Sequence, residues 1–174
     1  MLLELIPSDA SSPLSVSERD LAALAACERG TILLDVSARA DATLMALTGT
    51  NGRIALELRG GRLYGEQVLG ADGSPVAGPE TGDGVERRVL DAEDALGLDD
   101  GRPHTIAVTV NETGTHLYAD GYECFSTTLP AFLAQIGLTD VRIDPDGIAA
   151  VTRLAAWDEP LSDRAVMAQS LAAT

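Results

Sequence analysis

Lysine is absent. All 12 basic residues of the 174-residue chain are arginine, and they face 27 Asp and Glu, for a formal charge of -15. A chain this acidic repels phosphate backbones, which excludes nucleic acid as a partner, and it repels an anionic membrane surface in the same way. Aromatic residues are scarce at 3%, so the core is expected to be built from Val, Leu, Ile and Ala. Long apolar runs are missing too, and nothing approaches the roughly 20 residues of a membrane span. The stretch 1–7 has no basic residue and Glu4 interrupts its apolar side chains, so it does not read as a signal peptide. On that ground the chain is expected to be cytoplasmic if full length, and secreted if excised from a larger exported protein. Cysteine is limited to Cys27 and Cys124. They form either one long-range disulfide, as in a secreted module, or two small buried apolar side chains, the reading preferred here. With no His nearby they make no structural zinc site.

Catalytic signatures are missing as well. There is no Gly-x-Ser-x-Gly, no phosphate loop and no His-x-x-x-His, and neither His104 nor His116 has a nucleophile partner in the pattern. Pairs of acids are plentiful, as 27 acids in a short chain dictate, and most read as solvated surface charge.

The chain does offer a regular alternation of apolar and polar residues. Ile32, Leu34 and Val36 alternate with Leu33, Asp35 and Ser37, the pattern of a half-buried strand. Strands are expected at 43–48, 53–59 and 62–68, with turns at Gly49–Gly52 and Gly60–Gly61. A long Gly- and Pro-rich loop follows over 69–84, then a short strand at 85–90 and an acidic turn at 91–98. Ile106, Val108 and Val110 begin a meander that continues through 115–119, Asp120–Gly121 and 122–127. A short helix is expected within 129–136, strands at 141–143 and 150–157, and a C-terminal helix capped by Ser162. Another short helix is expected within 20–27. The sum is an all-β chain: one domain over 1–174 with its core in about 30–170, an antiparallel two-sheet β-sandwich of the jelly-roll kind with a short N-terminal and a C-terminal helix.

Three stretches carry a family resemblance. Asp100–Val110, which contains Gly101, His104, Ala107, Val108 and Thr109, is similar to the "G-x-W-H-x-x-A-V-T" strand of concanavalin A-like and laminin G-like domains, with Pro103 where that pattern has Trp. Leu117-Tyr118-Ala119-Asp120-Gly121 resembles their "L-Y-V-D-G" hairpin, and 151–165 resembles their closing strand with "L-S-D" after it. The strand 54–59 is similar to one in the sialic-acid-binding modules that precede sialidase catalytic domains. The sialidase catalytic domain itself is absent: there is no Ser-x-Asp-x-Gly-x-Thr-Trp box. The resemblance implies a non-catalytic carbohydrate-binding, lectin-like module for sialic acid or another acidic sugar. The alternatives are a small stand-alone enzyme using the concave face of the sandwich as its pocket, or a protein-interaction domain.

Arginine is the discriminating residue type for such a ligand, because a guanidinium grips a carboxylate in two places. Arg53, Glu57 and Arg59 share the polar face of one strand, and Tyr64 belongs to the next. Arg is expected for the sugar carboxylate, Glu57 for hydroxyl or amide groups and Tyr64 for the ring face; the alternative is a solvated sheet face with weak ion pairs. His116 alternates out of phase with Leu117 and shares a face with Tyr118, so both are candidate ligand contacts. His104 has the parity of the core and is expected to be structural. Arg87–Arg88 reads as neutralising its acidic neighbours. No cofactor is required, calcium being the one ion with a candidate loop, at Asp144 and Asp146; an Asp-rich turn is the alternative. The partner is expected to be a glycan or another polar small molecule, with the oligomeric state open.

Overall fold

The computed structural model describes residues 1–7, 14–70, 85–92, 97–128 and 133–172. The expected alternation produces eleven strands and three helices: β1 (Leu3–Leu5), α1 (Glu18–Ala25), β2 (Gly30–Ser37), β3 (Ala42–Gly49), β4 (Gly52–Arg59), β5 (Arg62–Gly70), β6 (Val85–Ala92), β7 (His104–Asn111), β8 (Gly114–Ala119), β9 (Tyr122–Thr127), α2 (Leu133–Ile136), β10 (Leu138–Ile143), β11 (Ala150–Trp157) and α3 (Asp163–Ala172). Six strands form one sheet in the order β1-β11-β2-β7-β8-β9, and five form the other in the order β10-β3-β4-β5-β6, with every pairing antiparallel. Consecutive strands cross between sheets at β2–β3, β6–β7, β9–β10 and β10–β11, while hairpins stay within one. This is the jelly-roll sandwich expected from the sequence.

Two hairpins show how local chemistry sets the register. Gly60 and Gly61, at φ 57 and 72, and Asp120 and Gly121, at φ 52 and 83, both use the left-handed region that tight two-residue turns require. The Asp120 carboxylate also accepts from the Thr105 amide at 2.9 Å and contacts His104 Nδ1 at 2.9 Å, while His104 Nε2 meets Asp100 at 3.1 Å. His104 is therefore the structural histidine the alternation indicated.

The inner faces meet in a core of Leu34, Leu44, Leu47, Leu58, Leu63, Ile106, Leu117 and Leu154, each at most 2% exposed. Helix α1 closes one end with Leu24, its first turn capped by Ser17. Strand β1, which the alternation did not reveal, pairs with β11 through Leu3, Glu4 and Leu5. Strand β2 differs from its sequence pattern, because Leu33 and Asp35 on its outer side are buried as well. The reason is α3, which packs over that face through Val166 and builds a second small core with Leu33, Ala107, Tyr118, Ala155 and Trp157. Arg153 ties the layers together, reaching Glu4 on β1, Asp35 on β2 and Gln169 on α3. Ser162 Oγ accepts from the Ala165 amide at 3.4 Å and caps α3 as expected. Strand β6 runs on to Ala92, through the start of the expected acidic turn; residues 93–96 of that turn, 71–84 of the long loop and 129–132 lie outside the described residues. Cys27 and Cys124 form no disulfide and are half-buried, donating weakly to Ala23 and Leu117 carbonyls. Among the described residues no helix is long and apolar enough to cross a membrane.

Candidate functional site

On β4 the alternation sends Ile54, Leu56 and Leu58 inward, leaving Arg53, Ala55, Glu57 and Arg59 outward. Antiparallel pairing then fixes what stands beside each, since directly opposed residues hold their Cβ atoms about 4.5–5.5 Å apart. One row across the sheet reads Thr48, Arg53, Val68, Arg87. The next reads Arg142, Ala46, Ala55, Glu66, Val89. A third holds Glu57, Tyr64 and Asp91, and Arg59 faces Arg62 at the hairpin end.

These rows join into two charge clusters. In the first, Glu66 sits between two arginines: Arg53 Nη2 lies 3.4 Å from one carboxylate oxygen, and Arg87 donates from Nε to the other at 2.6 Å and pairs with it through Nη2 as well. The Glu66 side chain is only 8% exposed, whereas Arg53 and Arg87 remain about half exposed. A carboxylate removed from water thus anchors two guanidinium groups whose outer edges face solvent. In the second cluster, Arg59 donates to Glu57 at 2.6 Å and its Cζ sits over the Tyr64 ring, 3.7 Å from the centroid. Burial works against the Arg59 charge, but the hydrogen bond and charge of Glu57 more than offset it, so its pKa is raised. The ring contact and the ion pair together restrain that guanidinium.

With Arg62–Asp91 at 3.7 Å and Arg142–Asp140 at 2.9 Å, this sheet face carries Arg53, Arg59, Arg62, Arg87 and Arg142 against Glu57, Glu66, Asp91 and Asp140. Among the described residues of this face five arginines stand beside four carboxylates, in a chain whose formal charge is -15. The face is thus less acidic than the chain as a whole, and its guanidinium groups are the ones a carboxylate-bearing ligand would meet.

The structure therefore brings Arg53, Glu57, Arg59 and Tyr64 together and adds Glu66 and Arg87. It changes the part expected of Tyr64, since a guanidinium already covers one face of its ring and the ring orients Arg59. His116 and Tyr118 do not join this group; they lie on the outer side of the other sheet. Tyr118 is 2% exposed beneath α3, and its hydroxyl donates to Asp163 at 2.9 Å. Burial and then Asp163 push its pKa up, so it is a neutral structural donor, and the expectation of an open ligand contact is corrected. His116 Nδ1 is engaged with Glu123 at 3.0 Å. Asp144 and Asp146 also have other duties: Asp144 accepts from the Ala149 amide at 3.0 Å and Asp146 from the Thr43 amide at 2.9 Å. Asp144 thus closes its own turn, while Asp146 ties that turn to the start of β3. Among the described residues no three His, Cys, Asp or Glu are grouped to hold a metal.

No protein-family model matches the chain, and no curated protein matches its sequence. Solved structures do match its shape. The CBM40 domain of the Ruminococcus gnavus IT-sialidase superposes with a TM-score of 0.68 at 18% identity over 98% of this chain and 99% of that one. The same domain bound to α2,3 sialyllactose gives 0.66 at 18% identity over 97% and 98%. The binding domain of botulinum neurotoxin DC in complex with SialylT gives 0.58 at 10% identity, covering 98% of this chain but 42% of that one. At these identities the likeness is one of fold: this chain has the jelly-roll sandwich of those binding domains along nearly its whole length.

Proposed function

We propose that the outer face of the five-stranded sheet binds an acidic sugar, with sialic acid as the preferred ligand, and that the protein acts as a non-catalytic glycan-binding module. The observation that carries this reading is the pair of oriented arginine clusters, Arg53–Glu66–Arg87 and Arg59–Glu57–Tyr64, on one face of an otherwise strongly acidic molecule. A guanidinium presents five donors in a rigid fork that matches a carboxylate, and the buried Glu66 and the Tyr64 ring hold these forks before any ligand arrives. Glu57 supplies an acceptor for sugar hydroxyl or amide groups, and Ala55 and exposed Val89 offer apolar surface for an acyl group between the clusters. The sialyllactose-bound neighbours of the same fold support the choice of sugar.

Binding rests on charge and hydrogen bonds with little stacking, so it is expected to be weak per site and to weaken with salt. Calorimetry with sialyllactose, a uronic acid and neutral lactose tests it. Heat with the two acids, none with lactose, and loss of binding in Arg59→Ala and Arg87→Ala are the expected results. Equal heats for lactose and sialyllactose, or undiminished binding in both variants, would overturn the proposal.

A further inference from the structure

The connection from β6 to β7 passes from one sheet to the other, and its described end, residues 97–103, touches both. On the six-stranded side it is fastened by His104, the first residue of β7, whose side chain is 13% exposed. His104 Nε2 meets Asp100 of this loop at 3.1 Å, and Nδ1 meets Asp120 of the β8–β9 hairpin at 2.9 Å. A carboxylate only accepts, so a ring nitrogen must carry a proton to bond one. With both nitrogens on carboxylates, the geometry is that of the imidazolium. Burial opposes that charge, but Asp120 and Asp100 prevail and raise the His104 pKa. Around them, Arg102 pairs with Asp100 at 3.6 Å, Arg39 lies against Gly101, and β2 sets apolar Val36 opposite the histidine.

On the five-stranded side the same loop packs against the β4–β5 hairpin. The Leu98 amide donates to the Gly61 carbonyl at 3.0 Å. The Asp99 carboxylate comes so near Gly61 that a Cβ there would stand 2.6 Å from its oxygen. Asp41 holds the other residue of the turn, accepting from the Gly60 amide at 2.6 Å. Arg59 and Arg62 flank this turn as a cross-strand pair. The loop is therefore one of two anchors of the turn from which Arg59 reaches over Tyr64.

Loss of one proton from His104 leaves a lone pair facing a carboxylate oxygen, and that contact turns repulsive. Asp120 is the firmer partner, because its other oxygen accepts from the Thr105 amide at 2.9 Å within a paired hairpin. Asp100 is the one to let go: its contact is longer, and the same oxygen already accepts from the Arg102 amide at 2.7 Å.

We propose that His104 is a proton-operated clamp on the sugar face. Protonated, it holds loop 97–103 against the β4–β5 hairpin and keeps Arg59 oriented; deprotonated, it releases Asp100, and the hairpin and Arg59 loosen. The inference rests on the sugar site proposed above and adds its regulation: an acidic sugar is held more tightly below neutral pH than above it. Arginine and the sugar carboxylate keep their charges across that range, so neither supplies such a dependence itself. His116, the other histidine, sits with Glu123 on the outer side of the far sheet. His104 touches no sugar and is a positioning residue, acting through the loop and the turn.

The test has two arms, both on the whole chain from pH 5.5 to 8.5. In nitrogen–proton correlation spectra the Leu98 and Gly101 amides and the Arg59 Nε–H are expected to shift with the midpoint of the His104 ring. Calorimetry with sialyllactose reads the other arm. If the released loop leaves Arg59 in place about a third of the time, affinity falls about threefold as pH rises. His104→Gln is expected to make the affinity flat with pH, and His116→Gln to keep the fall. Asp100→Asn is expected to flatten it as well, because an amide can accept from the charged ring or donate to the neutral one. An affinity flat with pH in the native chain, or a fall that persists in Asp100→Asn, overturns the proposal. Should His104→Gln fail to fold, Asp100→Asn decides. Absence of heat from sialyllactose at every pH would remove the sugar reading, and the spectra would then judge the clamp alone. Leu98 and Arg59 signals that follow His104 support it, and signals indifferent to His104 overturn it.

Discussion

The two outer faces of the sandwich are made by the same alternation and end in opposite states. Over the six-stranded sheet, Leu33, Ala107, Tyr118, Ala155 and Trp157 meet Val166 and disappear under α3. Over the five-stranded sheet, at the corresponding outward positions, stand Arg53, Glu57, Arg59 and Arg87 in paired but solvent-facing clusters. A strand therefore decides which residues point away from the core, and the rest of the chain decides whether that face is covered or left open to solvent. The apolar face obtains its stability from burial, at roughly 25 cal/mol per Å². The charged face contributes little, since exposed ion pairs are worth about 0–1 kcal/mol each.

That contrast is breakable, beginning with the largest effect. Leu33→Ala, beneath α3, is expected to lower the unfolding free energy by about 2–5 kcal/mol in urea denaturation. A loss under about 1 kcal/mol would mean that α3 is not a structural layer. Tyr118→Phe removes the hydroxyl that donates to Asp163 and is expected to cost about 1 kcal/mol while leaving sialyllactose binding intact. Lost sugar binding in that variant would instead place the ligand on the roofed face.

A gentler effect separates the two faces by pH. Burial opposes protonation of His104, but its hydrogen bonds and charge pairing with Asp120 and Asp100 prevail, so its pKa is raised above the usual 6.5. The proton is bound more tightly in the folded state, so this contribution is complete below about pH 6.5 and fades as pH rises through the raised value. Arginine does not titrate in that window, so the slope belongs to the six-stranded sheet. Urea midpoints from pH 5.5 to 8.5 are expected to fall with pH, and to fall less in His104→Gln; an identical slope in the variant would remove His104 from the account. The smallest effect on stability is Arg59→Ala, under about 0.5 kcal/mol, although it is the change expected to abolish sugar binding. A larger loss would show that the Tyr64 stack holds the fold as well as the ligand.

Much of the fold was legible because alternation and tight turns are local signals. Ile54, Leu56 and Leu58 named the core side of β4, and Arg53, Glu57 and Arg59 followed on the other. What was missed depends on distant parts of the chain. Tyr118 has the parity of an open residue, and the helix that covers it begins 45 residues later. On β5 the sequence Gly65-Glu66-Gln67-Val68 does not alternate, because Glu66 faces outward yet is buried between arginines while polar Gln67 faces the core. In the doublet Arg87–Arg88 the sequence does not distinguish which side chain joins Glu66 and which meets Gln67; pairing with β5 decides it. Strand β1 is three residues long, too short for a period, and its place comes from β11.

The scarcity of aromatics has an optical consequence. Trp157 is the single indole in the chain, 7% exposed in the small core under α3. Its emission therefore reports one event above all, the docking of that helix, and should shift red when α3 lifts. A sugar arriving on the far sheet leaves it in the same surroundings. The single indole thus reports on the layer under α3 and is remote from the face where we propose that a sugar binds, so a flat tryptophan signal in a sugar titration would say nothing against binding.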